Sequence, residues 1–190
     1  MSHPVTHASF TITRQWNAKP ERVFQAFADE KAKAKWFAGP PGFEQHEKSF
    51  DFREGGRETL SGKHASGMVT AFDCLYRDIV ENERIIYSYV MHLDGKKISV
   101  SQASIELFAE KGGTKLVLTE YGDYLDGYDD AGSREHGTNF LMDQLESRWG
   151  LDGAAYWRSR PPGARLRGSN RLVYSETGLC PDRGRACPYQ

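Results

Sequence analysis

Apolar and polar residues alternate through most of the first 125 positions, and a helical period replaces that alternation near each end of this stretch. Phe10, Ile12 and Trp16 share one face of an opening strand, with Arg14 among them and Thr11, Thr13 and Gln15 opposite. Pro20 then suits a first helical position, where its missing N–H is not needed. Val23, Phe24 and Phe27 recur at helical spacing, with Glu21, Arg22, Gln25 and Asp29 on the other side. A second helical turn ends in Trp36 and Phe37, just before Gly39-Pro40-Pro41.

Strand patterns dominate from there. Residues 43–52 place Phe50 and Phe52 on one face and Ser49 and Asp51 on the other; Gly55-Gly56 punctuates, and 57–61 begins the return. Residues 67–76 continue the meander, and 84–92 carry Ile85, Tyr87, Tyr89 and Met91 in one register. Asp94-Gly95 is a strong tight-turn signal into 97–108, and Lys111-Gly112-Gly113 turns into 114–121. Ser133 is placed to cap a last helix with Phe140, Leu141 and Leu145 as its apolar stripe and Trp149 at its end. These elements predict an α+β fold: a curved antiparallel sheet, one long C-terminal helix across its concave face, and a short N-terminal helix pair.

The order of these motifs resembles the START-like (SRPBCC) superfamily, and more closely its AHSA-like family, homologues of the heat-shock-protein-90 ATPase activator. Arg14, Ala18, Val23-Phe24, Ala26-Phe27 and Trp36-Phe37 match the family's opening, although Gly39 stands between the aromatics and the proline. FDFREGGRE at 50–58 matches its aromatic strand and Arg-x-Gly-Gly turn. Residues 67–89, the Gly-Thr-Lys strand at 113–120 and the helix at 136–145 continue the likeness, which covers residues 8–149. The resemblance implies a helix-grip architecture.

In that architecture one straight helix cannot fill a strongly bent sheet, and a mainly apolar hollow is left between them. START-like proteins hold lipids, polyketides, plant hormones and other hydrophobic ligands there, and some are polyketide cyclases. The resemblance, carried over by its matched motifs and by strand phase, implies Trp36 and Phe37 by the mouth, Phe50 or Phe52 on the wall, Tyr87, Tyr89 and Met91 on the central strand, and Phe140 on the covering helix. Arg57, at the Gly-Gly turn, is the candidate polar anchor. The same aromatics would also serve simply as core, since their area alone favours burial.

Composition narrows the partners. A net charge of −1 offers no global attraction to polyanions, so no nucleic acid is expected, and no apolar run is long enough to span a bilayer. The opening MSHPVTHASF lacks the basic region and apolar stretch of a signal peptide, and three cysteines do not suggest a disulfide scaffold. A cytoplasmic location is expected. An uncovered edge strand leaves a homodimer open.

Residues 150–190 differ from the rest. All ten lysines lie before residue 116, whereas this tail has seven arginines, three acids and no lysine; at +4 it contrasts with −5 for residues 1–149. It is read as a loosely ordered Arg/Pro/Gly-rich appendage or as the product of a shifted reading frame in GC-rich DNA.

Catalytic signatures are sparse. Ser66 in HASGM lacks the glycine of a nucleophile elbow, no phosphate-binding loop occurs, and His46, His64, His92 and His136 are far apart and form no H-x-x-x-H pair. His64, His92 and Glu120 are the acid–base group that could be collected in the hollow, and Glu120 with Asp123 a carboxylate pair at its rim. The leading expectation is a non-enzymatic binder of a small hydrophobic molecule, with no metal or cofactor. A cyclase- or hydrolase-like enzyme using the same hollow is the alternative. A stress-related co-chaperone, suggested by the family's name, is the third.

Overall fold

The structure is a computed structural model that describes residues 3–151; of the tail, all but Gly150 and Leu151 lies outside the described residues. The alternating segments form seven strands: β1 (Val5–Trp16), β2 (Glu44–Phe50), β3 (Arg57–Lys63), β4 (Val69–Val80), β5 (Arg84–Leu93), β6 (Lys96–Glu110) and β7 (Gly113–Leu125). Helices α1 (Pro20–Ala28) and α2 (Glu30–Trp36) lie between β1 and β2, and α3 (Ala131–Trp149) follows β7. The strands build one antiparallel sheet in the order β1-β7-β6-β5-β4-β3-β2, so the first strand pairs with the last and the rest is a meander. The sheet is curved and unclosed, a helix-grip α+β fold. Irregularities between Tyr76 and Asp78 and between Met91 and His92 interrupt the register on the central strands, where bulges add local bend and twist.

Period-2 burial sets the two faces. Phe10, Ile12 and Trp16 of β1, Ile105 and Leu107 of β6, and Leu116 and Leu118 of β7 are buried on the concave side against Val23, Phe24 and Phe27 of α1. Burying a side chain of this size stabilises by roughly 1.5–3 kcal/mol. Asp29 caps α2, its carboxylate accepting from the Ala32 N–H at 2.7 Å.

The last helix departs from expectation in two ways. Its cap is Asp130 rather than Ser133: Asp130 Oδ1 accepts from the Ser133 N–H at 2.9 Å, and Oδ2 accepts from the Ser133 hydroxyl at 3.0 Å. Asp130 has the extended backbone a cap requires, and Ser133 already lies within the first turn. Of the expected apolar stripe, Leu141 and Leu145 pack on the core and Phe140 does not. Arg134, Gly137, Met142 and Leu145 are buried, Leu141 is half-buried, and Phe140 is 36% exposed.

The reason is where α3 sits. It packs chiefly on α2 and β1. Arg14 of β1 holds it there, donating to Asn139 Oδ1 at 2.7 Å and to Asp143 Oδ1 at 3.2 Å. With α1 over β6 and β7 and α3 over β1, the inner residues of these three strands are sealed, while Leu60, Phe72, Tyr87 and Met91 on the inner side of β3–β5 stay half-buried.

Candidate functional site

Alternation on β5, β6 and β7 brings polar side chains inward among the apolar ones. Tyr89, Ser99, Ser101 and Glu120 all lie on the concave side, and α3 lowers Arg134 onto them. The Tyr89 hydroxyl donates to Glu120 Oε1 at 2.6 Å and accepts from Arg134 NH1 at 2.6 Å. Arg134 NH2 donates to Ser99 Oγ at 2.7 Å and to the Asp129 carboxylate. Burial pushes the Glu120 carboxyl above the usual carboxylate range, against the pull of Arg134 and of hydrogen bonds from Tyr89 and Ser101. Burial likewise raises the Tyr89 hydroxyl.

A second polar group lies towards β3. Lys33 Nζ donates to Glu58 Oε2 at 2.5 Å and to the Tyr76 hydroxyl at 3.2 Å, and Tyr76 in turn donates to Glu58. The same ammonium lies 5.0 Å from the ring centre of Phe37, 5.4 Å from Phe50 and 5.8 Å from Tyr76. Three aromatic faces and one carboxylate thus hold a nearly buried cation.

Aromatic rings join the two groups. Phe52 meets Tyr76 at 4.9 Å, Tyr76 meets Tyr87 at 6.3 Å, Tyr87 meets Tyr89 at 5.9 Å, and Phe72 bridges Tyr89 and Phe37 at 5.2 Å from each. The result is a concave wall of aromatic faces with one ion network at either side.

Of the residues expected to line a hollow, Phe37, Phe50, Phe52, Tyr87, Tyr89 and Met91 do reach this wall or its margin. Trp36 is instead a core residue: it is 4% exposed, its indole N–H donates to Ala26 O at 2.8 Å, and it packs edge-on to Phe27. Phe140 sits on the outward side of α3. Arg57 lies on the opposite face of the sheet, bidentate to Asp73 at 2.7 and 2.5 Å. Cross-strand register explains it: Phe50 pairs with Glu58, so Glu58 shares the inner side and Arg57 must face out. The Arg57 hydrogen bond holds Asp73 below the usual carboxylate range.

The collected acid–base group does not assemble. His64 bonds Thr70 Oγ1 at 2.9 Å beside Phe43, His92 lies on the outer face of β5, and only Glu120 is inside. Asp123 also faces out, 2.7 Å from His7 Nδ1, in a shallow groove of about 600 Å³ with Ser9, Ser88, Gln102 and Tyr121. Among the described residues no group of three or more His, Cys, Asp and Glu could hold a metal, and no helix is long and apolar enough to cross a membrane. Burial pushes the Cys74 thiol up to about 12, which makes it unreactive. Lys33, Glu58, Tyr76 and Arg134 were not anticipated as inner polar residues.

Known structures share this fold. A putative uncharacterised protein from Rhizobium leguminosarum is 39% identical over 80% of this chain and 100% of its own, with a TM-score of 0.75. The Mll3558 protein from Rhizobium loti is 38% identical over 76% of this chain and 99% of its own, at 0.71. An AHSA1-like protein from Aeromonas hydrophila is 19% identical over 76% of this chain and 96% of its own, at 0.56, and shares the fold. No curated protein matches the chain. The family model for activator of Hsp90 ATPase homolog 1-like proteins matches residues 17–150, and with the helix-grip sheet and its order of motifs this places the chain in the AHSA1-like family of the START-like superfamily.

Proposed function

We propose that the chain binds a small, predominantly apolar molecule, without chemical change, on the concave side of β3–β5 between α2 and α3. One observation carries the reading. Phe72, Tyr87 and Met91 face inward on central strands yet stay half-buried, whereas their counterparts on β1, β6 and β7 are sealed. Central inward aromatics left partly uncovered are a cost for a folded chain unless something else covers them. The aromatic wall and its few fixed polar groups have the composition of a small-molecule site.

The test is titration with the neutral apolar dye Nile red. Wild type and the outer-face variant Tyr121→Glu should bind it alike, and Met91→Glu should lose most of the enhancement while keeping a cooperative melt. Equal binding by Met91→Glu would refute the location.

A second reading is an acid–base enzyme on the same surface. It is favoured by Glu120, whose raised carboxyl shares a 2.6 Å hydrogen bond with Tyr89. Turnover of a bound polyketide-like substrate that Glu120→Gln abolishes, with binding retained, would establish it. Activation of a chaperone ATPase rests on the family's description alone.

A further inference from the structure

Tyr87 occupies the middle of the aromatic wall. Its ring lies between Tyr76, which is bonded to Glu58, and Tyr89, which is bonded to Glu120. Each neighbouring hydroxyl is fully engaged: Tyr76 donates to Glu58 and accepts from Lys33, and Tyr89 donates to Glu120 and accepts from Arg134. Tyr87 differs. Among the described residues nothing hydrogen-bonds its hydroxyl, its side chain keeps part of its surface open, and it is not one of the sealed polar atoms lacking a partner. A hydroxyl that is not sealed and holds no protein partner bonds only to water, so this one has capacity to spare for a molecule lying on the wall.

Resting on the binding reading above, we infer that the Tyr87 hydroxyl is the polar anchor of the site and that it selects a neutral, planar aromatic molecule bearing a hydrogen-bond acceptor such as a ketone. The flat shape follows from the rings of Phe72, Tyr76 and Tyr89 around it, which favour stacked or edge-on aromatic partners. Neutrality follows from charge. Burial first, and then Glu120 and Glu58 on either side, oppose negative charge at the Tyr87 oxygen, and Arg134 offsets only part of this. The cations that could receive a carboxylate are already committed, Lys33 to Glu58 and Arg134 to Glu120 and Asp129. An anionic head group placed at Tyr87 would meet two carboxylates and no open cation. A ketone oxygen would instead accept the idle O–H.

The experiment is displacement of Nile red at pH 7 by three probes of one shape: 2-acetylnaphthalene, 2-naphthoate and naphthalene. For wild type, 2-acetylnaphthalene should bind about fivefold or more tighter than naphthalene, and 2-naphthoate more weakly than either. Tyr87→Phe should bring 2-acetylnaphthalene down to the level at which the same variant binds naphthalene. If wild type does not bind Nile red, the hollow itself is wrong and the anchor falls with it. If Nile red binds but 2-acetylnaphthalene has no advantage over naphthalene, or keeps it in Tyr87→Phe, the anchor is refuted and the hollow stands. Preference for 2-naphthoate would overturn the neutral class. The wild-type comparisons decide the ligand class even if that variant fails to fold, and a shift of the Tyr87 hydroxyl proton resonance on adding 2-acetylnaphthalene but not naphthalene then assigns the donor, while no such shift refutes the anchor.

Discussion

The ammonium of Lys33 on α2 lies 2.5 Å from Oε2 of Glu58 on β3, and both side chains are nearly buried. This pair ties the N-terminal helices to the far side of the sheet. Removing one member leaves the other charge without a partner in a poorly solvated place. Lys33→Met should therefore destabilise the fold by about 3–5 kcal/mol, and the double variant Lys33→Met with Glu58→Leu by much less. Urea unfolding of the two variants checks this; equal losses would show that the pair is not energetically coupled.

The cap of α3 gives a prediction with a pH signature. Asp130→Ala should cost about 1 kcal/mol at neutral pH, and Asp130→Asn much less. Hydrogen bonding from the Ser133 N–H lowers the Asp130 carboxyl below its ordinary 3.8. Its contribution is present above that value and is lost as pH falls through the lowered native one, so the gap between wild type and Asp130→Ala should narrow under acid conditions. Denaturation midpoints at pH 7 and pH 3 measure it.

Glu120 has the opposite sign. Its carboxyl is raised above the ordinary 4.5 by burial, so the folded chain holds that proton more tightly than the unfolded one. Its contribution is full below 4.5 and declines as pH rises through the higher native value. The stability of wild type relative to Glu120→Gln should fall between pH 4 and pH 7. A relative stability that rises instead would mean attraction to Arg134 outweighs burial.

The Gly-Gly turn before β3 separates two reasons for glycine. Gly55 has φ of +74° and open space around a would-be Cβ, so Gly55→Ala should cost only the left-handed penalty of about 1–2 kcal/mol. Gly56 lies so close to the chain that a Cβ would sit 2.1 Å from Asp51 O. Gly56→Ala must displace backbone and should be the more damaging of the two, as thermal melting would show.

Much of the fold was legible because local signals agreed. Alternation in β1, β5 and β7, Pro20 at the start of α1, and Asp94-Gly95 with φ of 49° and 77° all pointed the same way as the tertiary packing. Site residues were harder to read for a definite reason. Arg57 adjoins the Gly-Gly turn that suggests an anchor, but Phe50 pairs with Glu58 across that turn, which puts Glu58 inside and Arg57 out. Glu120, expected in the hollow with His64 and His92, is the member of that group that the strand pattern supports, since it continues the buried phase of Leu116 and Leu118. Phe140 was misplaced because the rotation of α3 is set by long-range bonds from Arg14, which no helical period encodes. Lys33 carried no local sign of burial, since its partners come from β3 and β4.

The central claim is that the half-covered aromatic wall of β3–β5 receives a small neutral molecule. The most direct measurement is a two-dimensional amide NMR titration of the wild-type chain with 2-acetylnaphthalene. Saturable shifts should cluster at Phe37, Phe72, Tyr87, Tyr89 and Met91. Shifts confined to the outer groove around Ser9, Gln102 and Tyr121, or none at saturation, would contradict it.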